Sequence, residues 1–169
     1  IIPHLVGGDD VLVSVPAAEG WTFARELLAA FGKNLQGPSM SLGLVFSHAS
    51  HPFLVQVERA EERLHAAKQE GRGAAAVAWV DLTSDDPGSQ KRRGAELTLG
   101  KIEEIAPDLT AFSSWPRSAR RAIVNLEPDG EAAAIEHAGR TDSDREPVVK
   151  RLWDEIGLDA AMRISRWWR

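Results

Sequence analysis

The chain opens on two short apolar arms, Ile1 to Val6 and Val11 to Val15, separated by Gly7-Gly8-Asp9-Asp10. Glycine readily takes the positive φ that a tight turn needs, so the arms are predicted to pair as a hairpin. Trp21, Ala24, Leu27, Leu28 and Phe31 then recur at three- and four-residue steps and stop at Gly32, the signature of an amphipathic helix. Met40 to Ala49 is short, apolar and free of internal proline, and reads as a buried strand. Pro52 opens a second helix with the stripe Val55, Val57, Ala60, Leu64 and Ala67, ending at Gly71. Ala74 to Leu82 is one more apolar strand. Helices inserted between strands predict a sheet covered by helices, with the hairpin in that sheet and both helices on one face.

At Thr83 the composition turns to Ser, Asp, Pro and Gly with a Lys91-Arg92-Arg93 run, so residues 84–94 read as a linker between a first unit, 1–83, and a second, 95–169. The second unit is predicted to be helical. Leu97, Ile102 and Ile105 form one stripe that should stop before Pro107, and Ser114 and Pro116 suit the start of a helix carrying Ile123 and Leu126. Glu131 to His137 suits one short helix, and a last pair, Pro147 to Ile156 and Asp159 to Trp168, meets at Gly157. Tryptophans 153, 167 and 168 stand at helical spacing beside Val149, Leu152, Ile156 and Ile164, which reads as core rather than as a base-stacking surface.

Composition narrows the chemistry. With 169 residues, 43% hydrophobic and 27% charged, the chain is of the ordinary globular class. No apolar run approaches the ~20 residues that cross a bilayer, so a cytoplasmic protein without a membrane partner is expected. A formal charge of −5 argues against a broadly basic surface that coats nucleic acid, and no DNA partner is predicted. The absence of cysteine excludes disulfides, thiolate catalysis and cysteine-ligated zinc, so any metal must be held by oxygens or imidazoles.

Asp9 and Asp10 set two carboxylates behind two glycines, where little side-chain bulk would keep a phosphate away. Magnesium takes one or two protein carboxylates and leaves positions for water and phosphate, and a two-ion site would stabilise both the attacking and the leaving oxygen of an in-line displacement. The bland alternative is a plain hairpin turn. The context extends past the turn. Ser41-Leu42-Gly43 opens the next strand, and Ala60-Glu61, Leu64, Ala67-Lys68 and Gly71-Arg72 follow along the next helix and its exit.

This arrangement resembles the GGDEF-like palm shared by diguanylate cyclases and the large subunit of type III CRISPR effector complexes. Three details are similar to the CRISPR branch: the hairpin reads Gly-Gly-Asp-Asp, His48 and Pro52 follow the strand, and a helical tail with Trp115-Pro116-Arg117-Ser118 comes after the palm. The resemblance implies an α+β fold, a partial ferredoxin-like palm followed by a small helical domain. It implies Mg²⁺ or Mn²⁺ on Asp9 and Asp10, with Gly7, Gly8, Ser41 and Lys68 near the nucleotide, and ATP joined into cyclic oligoadenylate once target RNA is bound. It further implies that residues 95–169 pack against a small helical subunit beside guide and target RNA. In that family a strand with a metal-binding aspartate and two helices precede the hairpin. The resemblance therefore implies that the chain is a piece of a longer protein, that this half comes from another chain, or that the protein is a degenerate relative, and that the present chain alone is slow or inactive. Asp81, at a predicted strand end, is a conceivable substitute ligand and an ordinary turn residue otherwise. The remaining alternatives are a GTP-using diguanylate cyclase and a palm-shaped scaffold without catalysis.

Overall fold

The computed structural model describes residues 1–34, 39–83 and 94–168. The linker assigned to 84–94 therefore lies outside the described residues except for Gly94. Strands β1 (Ile2–Gly7) and β2 (Asp10–Ser14) form an antiparallel hairpin. A 3-10 turn at Ala17–Glu19 leads into α1 (Gly20–Asn34), followed by β3 (Ser41–Phe46), α2 (Phe53–Gly71) and β4 (Ala76–Asp81). Strand β5 (Glu96–Thr98) completes a three-stranded sheet of order β3-β4-β5, parallel between β3 and β4 and antiparallel between β4 and β5.

Helices fill the rest: α3 (Leu99–Ser114), α4 (Arg117–Val124), α5 (Glu131–Thr141), α6 (Arg145–Glu155) and α7 (Leu158–Trp167). Among the described residues no helix is long and apolar enough to cross a membrane.

Every residue of β4 is buried, so both faces of the sheet must be covered. On one face the side chains are small. Gly43 lies so close to α2 that an added Cβ would overlap the carbonyl oxygen of Ala60, and Ala67, Ala76 and Ala78 pack together beside it. The other face carries Leu42, Leu44, Phe46, Val77 and Trp79, and against it lies α1, with the Trp21 ring 6.1 Å from Phe46 and 5.8 Å from Trp79. Gly43 alternates with Leu42 and Leu44, so α1 and α2 lie on opposite faces. This corrects the expectation of both helices on one face.

Three further expectations are corrected. The hairpin forms its own two-stranded sheet, unpaired with β3, β4 or β5. Leu97 belongs to β5, and α3 starts two residues later, where the Thr98 hydroxyl accepts from the Lys101 N–H at 3.3 Å. Helix α3 also continues through Pro107. An internal proline costs ~3 kcal/mol. The stripe Ile102, Ile105, Leu109 and Phe112 is fully buried on both sides of the proline, and that burial outweighs the cost.

The buried core is continuous from Trp21 and Val77 to Ile164 and Trp168, so the sheet and the helical tail share it.

Candidate metal and nucleotide site

The hairpin pairs Gly7 with Asp10, leaving Gly8 and Asp9 as a two-residue turn. Gly8 sits at φ +61, in the left-handed region, while Gly7 does not, and a Cβ on either would meet nothing within 4 Å. Asp9 and Asp10 are exposed at the tip. At the base, the register shifts between Pro3 and Leu5, His4 Nε2 lies 2.8 Å from Ser14 Oγ, and the His4 ring stands 4.7 Å from that of Phe53 at the start of α2. Ile2, Leu5, Val6 and Val11 are exposed along the ribbon, and Phe53 and Leu54 are exposed beside its base.

Strand β3 offers a free edge toward this hairpin. Met40 O and Phe46 O accept from Ala76 N (3.3 Å) and Leu82 N (2.8 Å), so alternate peptide groups, at Ser41, Gly43 and Val45, face away from β4. Between that edge and β2 runs an apolar cleft of about 550 Å³, lined among others by Val11, Val13, Phe23, Leu27, Val45 and Phe53. Two open strand edges flanking an apolar cleft suit an added strand, whose peptide groups would satisfy both edges.

Ser41 and Lys68 stand at the far end of this unit. The parallel crossover from β3 to β4 runs α2 back along the sheet, so its C-terminus, where Gly71 faces Ala76, lies beside the start of β3. Lys68 is exposed in the last turn of α2, a place the helix dipole favours for a cation. At 1.5 Å per residue it is roughly 22 Å along the helix from Phe53. No hydrogen bond or ion pair joins Lys68 or Ser41 to Asp9 or Asp10 among the described residues. His48 is exposed, and its carbonyl accepts from the His51 N–H at 3.0 Å in a turn.

Asp81 is not free to take a metal. Its Oδ1 accepts from Thr83 N (2.9 Å) and Thr83 Oγ1 (2.6 Å), and its Oδ2 from Trp167 Nε1 (3.1 Å) and Arg166 Nη1 (3.3 Å). Trp167 also stacks on Phe46, rings 5.3 Å apart and 4° from parallel. The half with Thr83 is a turn that the sequence spacing signals. The half with Arg166 and Trp167 spans 85 and 86 residues, and no local pattern announces it.

Among the described residues no three His, Asp or Glu side chains group as metal ligands. Asp9 and Asp10 alone fit a hard, hydrated divalent cation, which keeps most of its coordination for water and phosphate, and do not fit a closed protein cage. A family model for Cas10/Cmr2, second palm domain, matches residues 4–76, from β1 to the start of β4. No curated protein and no solved structure matches the chain.

Proposed function

We propose, from the match of residues 4–76 to a family model for the second palm domain of Cas10/Cmr2, the large subunit of type III CRISPR effectors, that the hairpin tip carries the acidic half of a nucleotidyl-transfer site. Palms of this family are of the nucleotidyltransferase and cyclase kind, and they work inside a multi-subunit CRISPR complex. The finer reading is synthesis of cyclic oligoadenylate from ATP. A 3′-hydroxyl of one nucleotide attacks the α-phosphorus of the next, a phosphodiester bond forms, the bond to the β-phosphate oxygen breaks, and pyrophosphate leaves.

The observation that supports this is the placement of Asp9 and Asp10 on an exposed two-residue turn with open space around Gly7 and Gly8. Those carboxylates would hold Mg²⁺ or Mn²⁺, which when bound neutralises charge on the phosphates. Gly8 leaves the approach clear. Ser41 and Lys68 stand at the other end of the β3–α2–β4 unit, so the reading is carried by the acidic hairpin without them. The cleft beside β3 would receive the strand that this family places ahead of the hairpin. In the same reading residues 95–169 face a small helical subunit near guide and target RNA.

The test is product formation from ATP with Mn²⁺ or Mg²⁺ by the full-length protein in its complex, wild type against Asp9→Ala with Asp10→Ala. Loss of product is the expected outcome. Equal product in both would remove the metal role and leave a palm-shaped scaffold.

A further inference from the structure

The last turn of α7 is tied to the ends of β3 and β4 and to α1, the helix into which the hairpin leads. Helix α7 packs against the 3-10 turn Ala17–Glu19, which lies between β2 and α1. Trp167 stacks on Phe46, the final residue of β3, and the same Phe46 ring lies against Gly20 at the start of α1. Arg166 and Trp167 both donate to Asp81, which ends β4, and Arg166 Nη1 also donates to Thr83 Oγ1 at 2.8 Å. Trp168 lies 6.1 Å from Trp21 of α1, and its indole N–H donates to Thr110 Oγ1 of α3 at 3.0 Å. The hairpin itself pairs with no strand of the main sheet. Its seating must therefore come from its base, where it meets Phe53 and runs into the turn and α1.

We infer that Arg166 and Trp167 are positioning residues for the carboxylate hairpin: by holding the ends of β3 and β4 and the turn at 17–19 in one arrangement, they set where Asp9 and Asp10 stand relative to the sheet. The link continues into the tail. Arg120 of α4 donates to Ser165 Oγ at 2.6 Å, and α4 exposes Arg117 and Arg121, so the same turn is tied to an outward-facing helix. The inference rests on the hairpin being the reactive element, and it can fail separately from that reading.

The chain has no cysteine, so spin labels can be placed without background. One pair, Val6→Cys with Gln69→Cys, spans hairpin and α2; a control pair, Gln69→Cys with Glu103→Cys, spans α2 and α3, and all three sites are exposed. Pulsed dipolar distances are read in the parent chain, Arg166→Ala, Trp167→Leu and Arg166→Lys. The expected result is a shifted and broadened hairpin distance in Arg166→Ala and Trp167→Leu, an unchanged control distance, and recovery in Arg166→Lys. In the full-length protein, product formation should then fall on the order of a hundredfold, as an ångström-scale misplacement of reacting groups does. An unchanged hairpin distance in folded variants overturns the inference. So does equal broadening of both pairs, which would mean general loosening. If Mn²⁺ binding by the parent chain is indifferent to Asp9→Ala and Asp10→Ala, the metal reading fails while the distance result stands or falls by itself.

Discussion

Gly43 shows how much one absent side chain can decide. A Cβ there would overlap Ala60 O and approach Leu64 N, both backbone atoms of α2, which no rotamer change can move aside. Gly43→Ala is therefore expected to push α2 from the sheet and cost at least the ~1–3 kcal/mol typical of overpacking, read as a lower denaturant midpoint with an unchanged slope. Gly8 makes the opposite case. Its φ of +61 disfavours any branched residue, but the space around it is open. Gly8→Val should cost ~1–3 kcal/mol of strain, within the ~5–15 kcal/mol of an ordinary domain, and so keep a cooperative melt. On the proposed reading, ATP-dependent product formation by the full-length protein in its complex should fall much further than that loss explains. Unchanged turnover in the folded variant would reduce the hairpin to a turn.

At the scale of elements, the contact of α3 with α6 carries a titrating group. Asp108, on α3, is 4% exposed, and its Oδ2 lies 3.4 Å from Arg151 Nε without a hydrogen bond of good geometry. Burial raises its pKa above the ordinary carboxylate value, and the Arg151 guanidinium only partly opposes this. The folded protein then keeps this proton to higher pH than the unfolded chain does. The contribution of this group to stability should be fully present below the unfolded value, ~3.9, and be lost as pH rises through the folded pKa. Glu96 of β5 is shifted the same way, chiefly by burial, with Arg63 opposing and Glu70 assisting. Asp108→Asn should flatten the fall in melting temperature on going from acid toward neutral pH, leaving the part due to Glu96. A profile as steep as the parent's would remove Asp108 as its source.

For the whole molecule, the shared core predicts how the chain can be divided. The face of the sheet bearing Leu42, Leu44, Val77 and Trp79 is closed by α1 together with α3 and α7, and Trp21, Trp79 and Trp168 meet there. Burying ~150–250 Å² per tryptophan at ~25 cal/mol/Å² contributes roughly 4–6 kcal/mol each as an upper estimate, so losing such contacts rivals the entire net stability of a domain. Residues 1–83 expressed alone should therefore lack a cooperative thermal transition and bind an apolar dye, while the full chain melts in one step. A sharp melt of the fragment would mean that the palm part has a core of its own.

What the sequence determined by itself was local. Short apolar runs placed β1, β2, β3 and β4, and three- and four-residue steps placed α1 and α2, because run length and spacing record how one element meets the core. The Gly7 to Asp10 turn was legible because positive φ and paired carboxylates are written in consecutive residues. The spacing of Ser41, Ala67, Lys68 and Gly71 around it carried the resemblance, and the family-model match over residues 4–76 agrees. Tertiary structure alone decided the rest. The exit of α3 past Pro107 depended on burial at Leu109 and Phe112, which local propensity does not register. The faces taken by α1 and α2 depended on small residues, Gly43, Ala76 and Ala78, lining one side of the sheet. Asp81, two residues from Thr83 and 85 from Arg166, is a turn residue by its near neighbour and part of the tie to α7 by its distant one. A contact between residues that far apart leaves no period along the chain, so only the packed fold brings it into being.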